Sequence, residues 1–259
     1  MRYAEVLLNL PLESSFTYSV PDELSCTVGC RAEVNFAGRK SLAYLVSLGE
    51  EPPAGEFTVK PLLRILDKEP LFGEAELKLA RWIAERYFST PGETLGIMLP
   101  GGKRESSLPN ALPEEDLAFK TVELSSEQEA AIAGILQGEG GASYLYGITG
   151  SGKTEVYLRV AQQLLDGGQG VIFLVPEISL THQIVKEARR RFGETVSVWH
   201  SRITPSQKLK EWRRIRSGEA RFVIGARSAV LAPVKNLGLI IIDEEHEGSY
   251  KSGSSPRYH

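Results

Sequence analysis

Two sets of residues in this chain could together handle a phosphoryl group. The first is Gly147-Ile148-Thr149-Gly150-Ser151-Gly152-Lys153-Thr154, which fits G-x-x-x-x-G-K-[ST]. Glycines in such a run let the backbone curl until successive N–H groups point inward at phosphate oxygens. The start of the helix that follows adds partial positive charge. Lys153 can reach the β- and γ-phosphates of a nucleoside triphosphate, and the Thr154 hydroxyl can ligate Mg2+. The second set is Asp243-Glu244-Glu245-His246, which follows the apolar run Leu239-Ile240-Ile241-Ile242. A P-loop lysine neutralises phosphate but leaves the far side of the metal to an acid on a neighbouring strand. Asp243 suits that role, and Glu244 can orient or deprotonate an attacking water. His246 reads equally as a link to the γ-phosphate and as an ordinary polar turn. Gln128, in LSSEQEAAI ahead of the P-loop, carries an amide that can make two hydrogen bonds to an adenine edge. A surface glutamine would look the same.

These groups need elements to hold them. Four consecutive aliphatic residues read as a strand buried on both faces, as in a parallel sheet. In open α/β sheets ligands bind beyond the carboxyl ends of the strands, which is where the acids fall. Strands are expected at about 143–147, 171–175, 196–199, 221–225 and 238–243, with helices near 126–137, 153–166, 179–192 and 205–217. That alternation implies βαβ units and a parallel sheet. The front of the chain has another texture. Short β-like runs (Tyr3–Asn9, Phe16–Val20, Arg31–Phe36, Leu42–Leu48) broken by Pro, Gly and polar turns suggest a small β-barrel or open sheet. A helix follows in GEAELKLARWIAERYFS and ends before Pro91-Gly92. Residues 101–118 are rich in Gly, Pro, Ser and charge and read as a linker. The expected division is a β-rich domain over 1–102, a linker over 103–118 and an α/β P-loop domain over 119–259.

Composition narrows the setting. The chain has 259 residues, 42% of them hydrophobic, and a formal net charge of −3, so any polyanion binding must come from local patches. No apolar run approaches the ~20 residues a membrane helix needs, and MRYAEVLLNLPLESS does not read as a signal peptide. Cys26 and Cys30 cannot complete a four-thiolate zinc site and read as reduced core cysteines. A cytoplasmic monomer is expected. Between Lys186 and Arg216 lie ten basic residues and only three acids. Many of these are solvated helix faces, and part of the set could meet a nucleic-acid backbone. The strand ends PEISLT, WHS and GARSA, the last with Arg227 and Ser228, place hydroxyl or basic groups where a second polyanion could bind.

The ordered set GITGSGKTEVYL, VPEISLT, WHS, GARSAVLAP, LIIIDEEHEGSYK and PRYH resembles the PriA family of bacterial replication-restart helicases, in helicase superfamily 2. LPLESSFTYSVP, VGCRAEVNFAGRK and PGETLGIMLP resemble the domain with which that family holds the 3′ end of a nascent strand. The resemblance implies a RecA-like ATPase lobe behind a β-rich DNA-end domain. It implies ATP and Mg2+ as cofactors, with forked and single-stranded DNA as partners. Single-stranded DNA-binding protein and primosome-loading proteins would be further partners. It assigns Phe16, Thr17, Tyr18, the turn at Ala37-Gly38 and Lys60 to a 3′-end pocket, where an aromatic stacks on the terminal base. It assigns Tyr250, Lys251 and the stretch to His259 to an aromatic-rich loop that links DNA contact to ATP hydrolysis. Thr17 stands where an acid is common, Ala37 replaces a glycine, Leu231 an aromatic and Ser252 a glutamine. The 101–118 linker is too short for the winged-helix domain that the family usually inserts. The chain reads as the front part of a longer polypeptide, with a second lobe, its arginines and a zinc module expected only beyond it. Two other readings stay open. One is a non-catalytic DNA 3′-end-binding module with a structural P-loop. The other is an unrelated P-loop kinase, or a translocase on another polymer.

Overall fold

A computed structural model describes residues 2–51, 58–102, 123–138, 141–148, 150–176, 182–200 and 203–259. The chain divides into two compact units. One comprises Met1–Glu105, Thr204–Leu209 and Lys251–His259, the other Ser106–Ile203 and Lys210–Tyr250. The linker expected over 103–118 lies outside the described residues.

In the first unit, β1 (Arg2–Leu8), β2 (Phe16–Val20), β3 (Arg31–Phe36), β4 (Arg39–Gly49) and β5 (Arg64–Ile65) form an antiparallel sheet in the order β2-β1-β4-β3-β5. Alternate side chains point inward, as a pleated strand requires. Ala4, Val6, Leu8, Tyr18, Val20, Ala32, Val34, Ala43 and Leu45 thereby share one core. Ala37 and Gly38 have φ of 48° and 81°, the doubly left-handed conformation that a two-residue hairpin needs between Phe36 and Arg39. The edge strand β2 is closed off by the chain that leads into β5. Ser19 N–H donates to Lys60 O and Leu62 N–H to Ser19 O, both at 3.0 Å. The sheet therefore curls into a small barrel, the closed alternative of the two the sequence allows.

Two helices back this barrel, α1 (Glu74–Arg86) and α2 (Pro91–Met98). The second is not anticipated from sequence. Pro91 stops α1 but also opens α2, where a fixed φ and a missing N–H do no harm. Thr90 Oγ1 accepts from Glu93 N at 3.3 Å while Glu93 Oε2 accepts from Thr90 N at 3.1 Å, a reciprocal cap. Gly92 lets α2 approach β1, since a Cβ there would lie 1.8 Å from Leu8 O. Arg31 is 1% exposed. Its guanidinium grips Asp67 through Nε (2.9 Å) and Nη2 (2.7 Å). It also donates to Pro100 O and, at 2.6 Å, to Gly102 O. One buried cation thus holds the end of this unit's chain against β3.

In the second unit, β6 (Gly170–Leu174), β7 (Val196–Trp199), β8 (Phe222–Gly225) and β9 (Leu237–Ile242) form a parallel sheet in the order β7-β8-β6-β9. The helices are α3 (Ser126–Gln137), α4 (Lys153–Asp166), α5 (His182–Phe192) and, from Lys210 onward, α6 (Pro205–Ser217). Leu158, Ala161 and Leu165 of α4 and Val185, Ala188 and Phe192 of α5 pack on Phe173, Val198, Phe222, Ile224 and Ile241 of the strands. On the other side of α4, Val156 and Val160 meet Ile132 of α3. Cys26 and Cys30 are free thiols. No helix among the described residues is long and apolar enough to cross a membrane.

Removing one member of a buried ion pair strands the other charge in the interior, at a cost of about 3–5 kcal/mol. Arg31→Ala should destabilise the chain by about that much in urea unfolding. A loss under about 1 kcal/mol would show that the grip on Asp67 and the 100–102 carbonyls is dispensable.

Candidate functional site

The P-loop begins in an extended segment that is not a strand. Residues 141–148 make no ladder, although 143–147 reads as one. The segment is held by side chains instead. Leu145 packs with Leu239 of β9 against the Ile132, Val156 and Val160 cluster. A strand needs a hydrogen-bonding edge beside it, and β9 pairs only with β6 among the described residues. Gly150 and Gly152 have φ of 84° and 81°, in the left-handed region that glycine enters freely. Gly152 is also the residue from which α4 starts. Thr149 lies outside the described residues.

Lys153, the first residue of α4, turns its ammonium onto its own loop. Nζ donates to Gly147 O at 2.6 Å and to Ile148 O at 3.3 Å. These carbonyls occupy the lysine where phosphate oxygens would otherwise do so. Gln128 is similarly engaged. Its Oε1 accepts from Ser125 N at 3.0 Å, capping α3, and its Nε2 donates to Ser151 O at 3.0 Å. A cavity of about 270 Å³ opens here, lined by Gln128, Leu145, Tyr146, Gly147, Ser151 and Lys153. Gln128, Lys153 and the loop thus converge, as the motif order suggests.

Asp243 sits where the parallel sheet ends. Its N–H donates to Leu174 O at 2.9 Å and so extends the β6–β9 ladder by one bond. Burial raises its pKa from the ordinary carboxylate value, and Glu244 adds to the rise, while the Lys153 cation pulls it down. Lys153 and Asp243 therefore lie within electrostatic reach of each other. Glu244 has φ of 47°, uncommon for a non-glycine residue and a mark of a turn held by its surroundings. Its carboxylate lies 3.7 Å from His246 Nε2, with both groups open to solvent. Thr154 is half-buried on the first turn of α4. A hydroxyl and a carboxylate are oxygen ligands of the kind Mg2+ takes alongside water and phosphate. No group of three or more His, Cys, Asp or Glu forms a denser metal site among the described residues.

Three tyrosines bound the acid turn, and sequence reading singles out only one of them. Tyr144 Oη donates to Glu245 Oε1 at 3.4 Å. Burial, then the charges of Asp243, Glu244 and Glu245, push the Tyr157 phenol up to about 12. Tyr250 Oη donates to Asp243 O at 2.7 Å, and burial, then the charges of Asp243, Glu244 and Glu247, raise its pKa. The family resemblance implies a DNA contact for Tyr250. It is 6% exposed, so it offers no face to a base, and its hydroxyl instead binds the backbone of Asp243.

The other DNA candidates divide in the same way. Tyr18 is 4% exposed in the barrel core, with Oη donating to Asn35 O at 3.2 Å, which corrects its reading as a stacking residue. Phe16 is half-buried, its ring edge-on to Phe36 at 4.9 Å. Thr17 stands opposite Glu5 in the β1–β2 register. Lys60 is exposed beside the strand closure. Arg227 Nη1 donates to Ser249 O at 3.2 Å, and Ser228 is half-buried on the same turn. Lys251 is exposed. Part of the basic set is already engaged. Arg191, 5% exposed, holds the Glu155 carboxylate at 2.8 Å, and Arg214 holds Glu211 and Glu219 at 3.0 and 2.7 Å. The Glu155–Arg191 pair joins α4 to α5 directly behind the P-loop, and residues 36 positions apart give no local sign of it.

Comparison with known proteins divides the chain at the same two textures. The 3′DNA-binding domain of PriA matches residues 5–100, and DEAD/DEAH box helicase matches residues 125–259. A replication restart protein PriA of Treponema pallidum is 42% identical over 265 residues, covering 99% of this chain and 40% of that protein. The one from Bacillus subtilis is 49% identical over 154 residues, covering 57% of this chain and 19% of its own length. The one from Haemophilus influenzae is 30% identical over 337 residues, covering all of this chain and 46% of its own length. The chain thus spans less than half the length of these relatives. The Treponema alignment is barely longer than this chain, so that relative has no room for an inserted domain in the matched region. The Haemophilus alignment is longer by dozens of residues.

A Cβ on residue 152 would be strained by its φ and would meet Gln128 Nε2 at 2.3 Å. Gly152→Ala should weaken Mg·ATP binding by roughly tenfold or more, about 1.4 kcal/mol, in titration calorimetry. Unchanged affinity would mean that the loop does not cradle phosphate in this curl.

Proposed function

The chain belongs to the DEAD/DEAH box helicase family and, through its 3′ DNA-binding domain, to the PriA group within it, and we propose on that footing that it is the DNA-end-binding and ATP-binding part of a replication-restart helicase. What supports this reading is the P-loop curl with Lys153 at the head of α4, and Asp243 at the carboxyl end of β9 within the electrostatic reach of that lysine. The parent activity is ATP-driven 3′→5′ unwinding at stalled forks, followed by primosome assembly. Forked and single-stranded DNA are the substrates. Single-stranded DNA-binding protein and primosome-loading proteins are the partners that family membership suggests.

Within this chain, the roles follow from position. Lys153 leaves the Gly147 and Ile148 carbonyls for the β- and γ-phosphates. Gln128 exchanges Ser151 O for the adenine edge. Thr154 and Asp243 would hold Mg2+, which would supply charge neutralisation of the phosphates. Glu244 orients the attacking water. Phe16, Thr17, the Ala37-Gly38 turn and Lys60 receive the 3′ end of the DNA. A non-catalytic reading has one observation in its favour, the lysine already bound to its own loop.

The two readings separate in one comparison. Lys153→Ala should weaken Mg·ATP binding at least tenfold while leaving affinity for a DNA with a free 3′-OH within about twofold. Blocking that end with a 3′-phosphate should weaken DNA binding to wild type and variant alike. If wild type shows no measurable Mg·ATP affinity, the P-loop is structural and the non-catalytic module stands.

A further inference from the structure

The strands of the first unit carry two acids, Glu5 and Glu33. Glu33 is engaged, since Arg64 Nε donates to its carboxylate. Glu5 is placed differently. It is exposed on β1, and its partners across the sheet are Thr17 of β2 and Ser47 of β4. Both are hydroxyl residues, so no cation stands opposite it in either ladder. The β1–β4 register also shifts here, from Glu5 opposite Ser47 to Val6 opposite Leu45, which leaves Val46 without a partner in that ladder. A bulge of this kind re-aims neighbouring side chains and is common beside binding sites. The Ser15 hydroxyl donates to Glu5 Oε1, so the carboxylate also fixes the residue that leads into Phe16.

Side chains of cross-strand partners lie on one face of a sheet, with Cβ atoms about 4.5–5.5 Å apart. The Glu5 carboxylate therefore shares its face with Thr17, one of the residues given above to the 3′ end. An acid on a surface that binds a polyanion lowers affinity for every phosphate near it. Such a group fits where it meets a hydrogen-bond donor. The sugar–phosphate chain of DNA has a donor only at a hydroxyl end. The other residues of the pocket cannot tell a hydroxyl end from a phosphate by charge. Lys60 attracts phosphate, Thr17 can donate as well as accept, and Phe16, Ala37 and Gly38 have uncharged side chains.

We propose that Glu5 selects a free 3′-OH, its carboxylate accepting a hydrogen bond from the terminal hydroxyl and repelling a terminal phosphate. The proposal rests on the 3′-end reading above and adds to it the group that reads the chemistry of the end. A hydroxyl bound to a carboxylate makes a short, charge-assisted bond, about twice as strong as a neutral one. A terminal phosphate brings roughly −1.5 to −2 charges to the same place.

The test is fluorescence anisotropy with single-stranded oligonucleotides of roughly 12 nucleotides, identical except for a 3′-OH, a 3′-phosphate or a 3′-deoxy end. Wild type should prefer the 3′-OH to the 3′-phosphate by roughly tenfold or more, with the 3′-deoxy end between them. Glu5→Gln keeps an acceptor for Ser15 but removes the charge. It should bring the hydroxyl and phosphate ends within about threefold of each other. Because the ratio is taken within one variant, a general loss of stability or affinity cancels. Glu23→Gln, the same charge change beyond the other end of β2, should keep the wild-type ratio. If wild type discriminates but Glu5→Gln keeps the ratio within about twofold of it, the proposal is overturned and the 3′-end reading survives. A 3′-deoxy end that wild type binds as tightly as the hydroxyl also overturns it. So does an equal fall in Glu23→Gln, which would make the effect one of net charge. If wild type binds all three ends equally, or none, both readings fall.

Discussion

The parallel pairing of β6 with β9 is the constraint on which the site depends. Its register sets Leu174 beside Ile242, and the next bond runs from Asp243 N–H to Leu174 O. Only this register puts the first acid at the sheet's carboxyl edge, in the field of Lys153. A slip of one residue would exchange the two faces of β9. Ile241, buried in the core at 6% exposure, would turn outward, and the acid would move off the edge. The hydrophobic core therefore fixes the chemistry. Phe173, Phe222 and Ile241 do not touch nucleotide, yet their packing decides where Asp243 stands.

Around that edge the chain spends polar groups on holding the site in readiness. Tyr250 binds the Asp243 carbonyl, Arg191 binds Glu155 behind the loop, and Gln128 binds the loop itself. Each contact is made with backbone or with a group that has no part in phosphate chemistry. On the proposed reading, the Asp243 carboxylate and the Thr154 hydroxyl are the groups that would meet Mg2+. Lys153 is the exception, bonded to carbonyls that a triphosphate can displace. Burial that raises the Asp243 pKa has the same sense, because a carboxylate short of solvation gains more from a cation.

Legibility in the sequence followed the range of the interactions. The P-loop was readable because the glycines that permit its curl are adjacent to the residues it positions. The barrel strands were readable because alternation records the buried face residue by residue. Helix α2 was missed because Pro91-Gly92 reads first as a stop, and only the Thr90–Glu93 pair reveals a start. The strand over 143–147 was expected from composition, but a strand exists only with an edge to pair with, which no local window shows. An aromatic in a motif does not disclose its burial, so Tyr18 and Tyr250 read as DNA contacts in the sequence although both are buried. Arg191 was counted with a basic set whose charges look alike in sequence, though its partner is 36 residues away.

The central claim is that Lys153 and Asp243 act on one Mg·ATP. A double-mutant cycle with Lys153→Ala and Asp243→Asn, read as Mg·ATP affinity by calorimetry, tests it most directly. Groups that share a ligand through its phosphates and metal should couple by about 1 kcal/mol or more. Losses that simply add, within about 0.5 kcal/mol, would mean that the two residues serve separate sites.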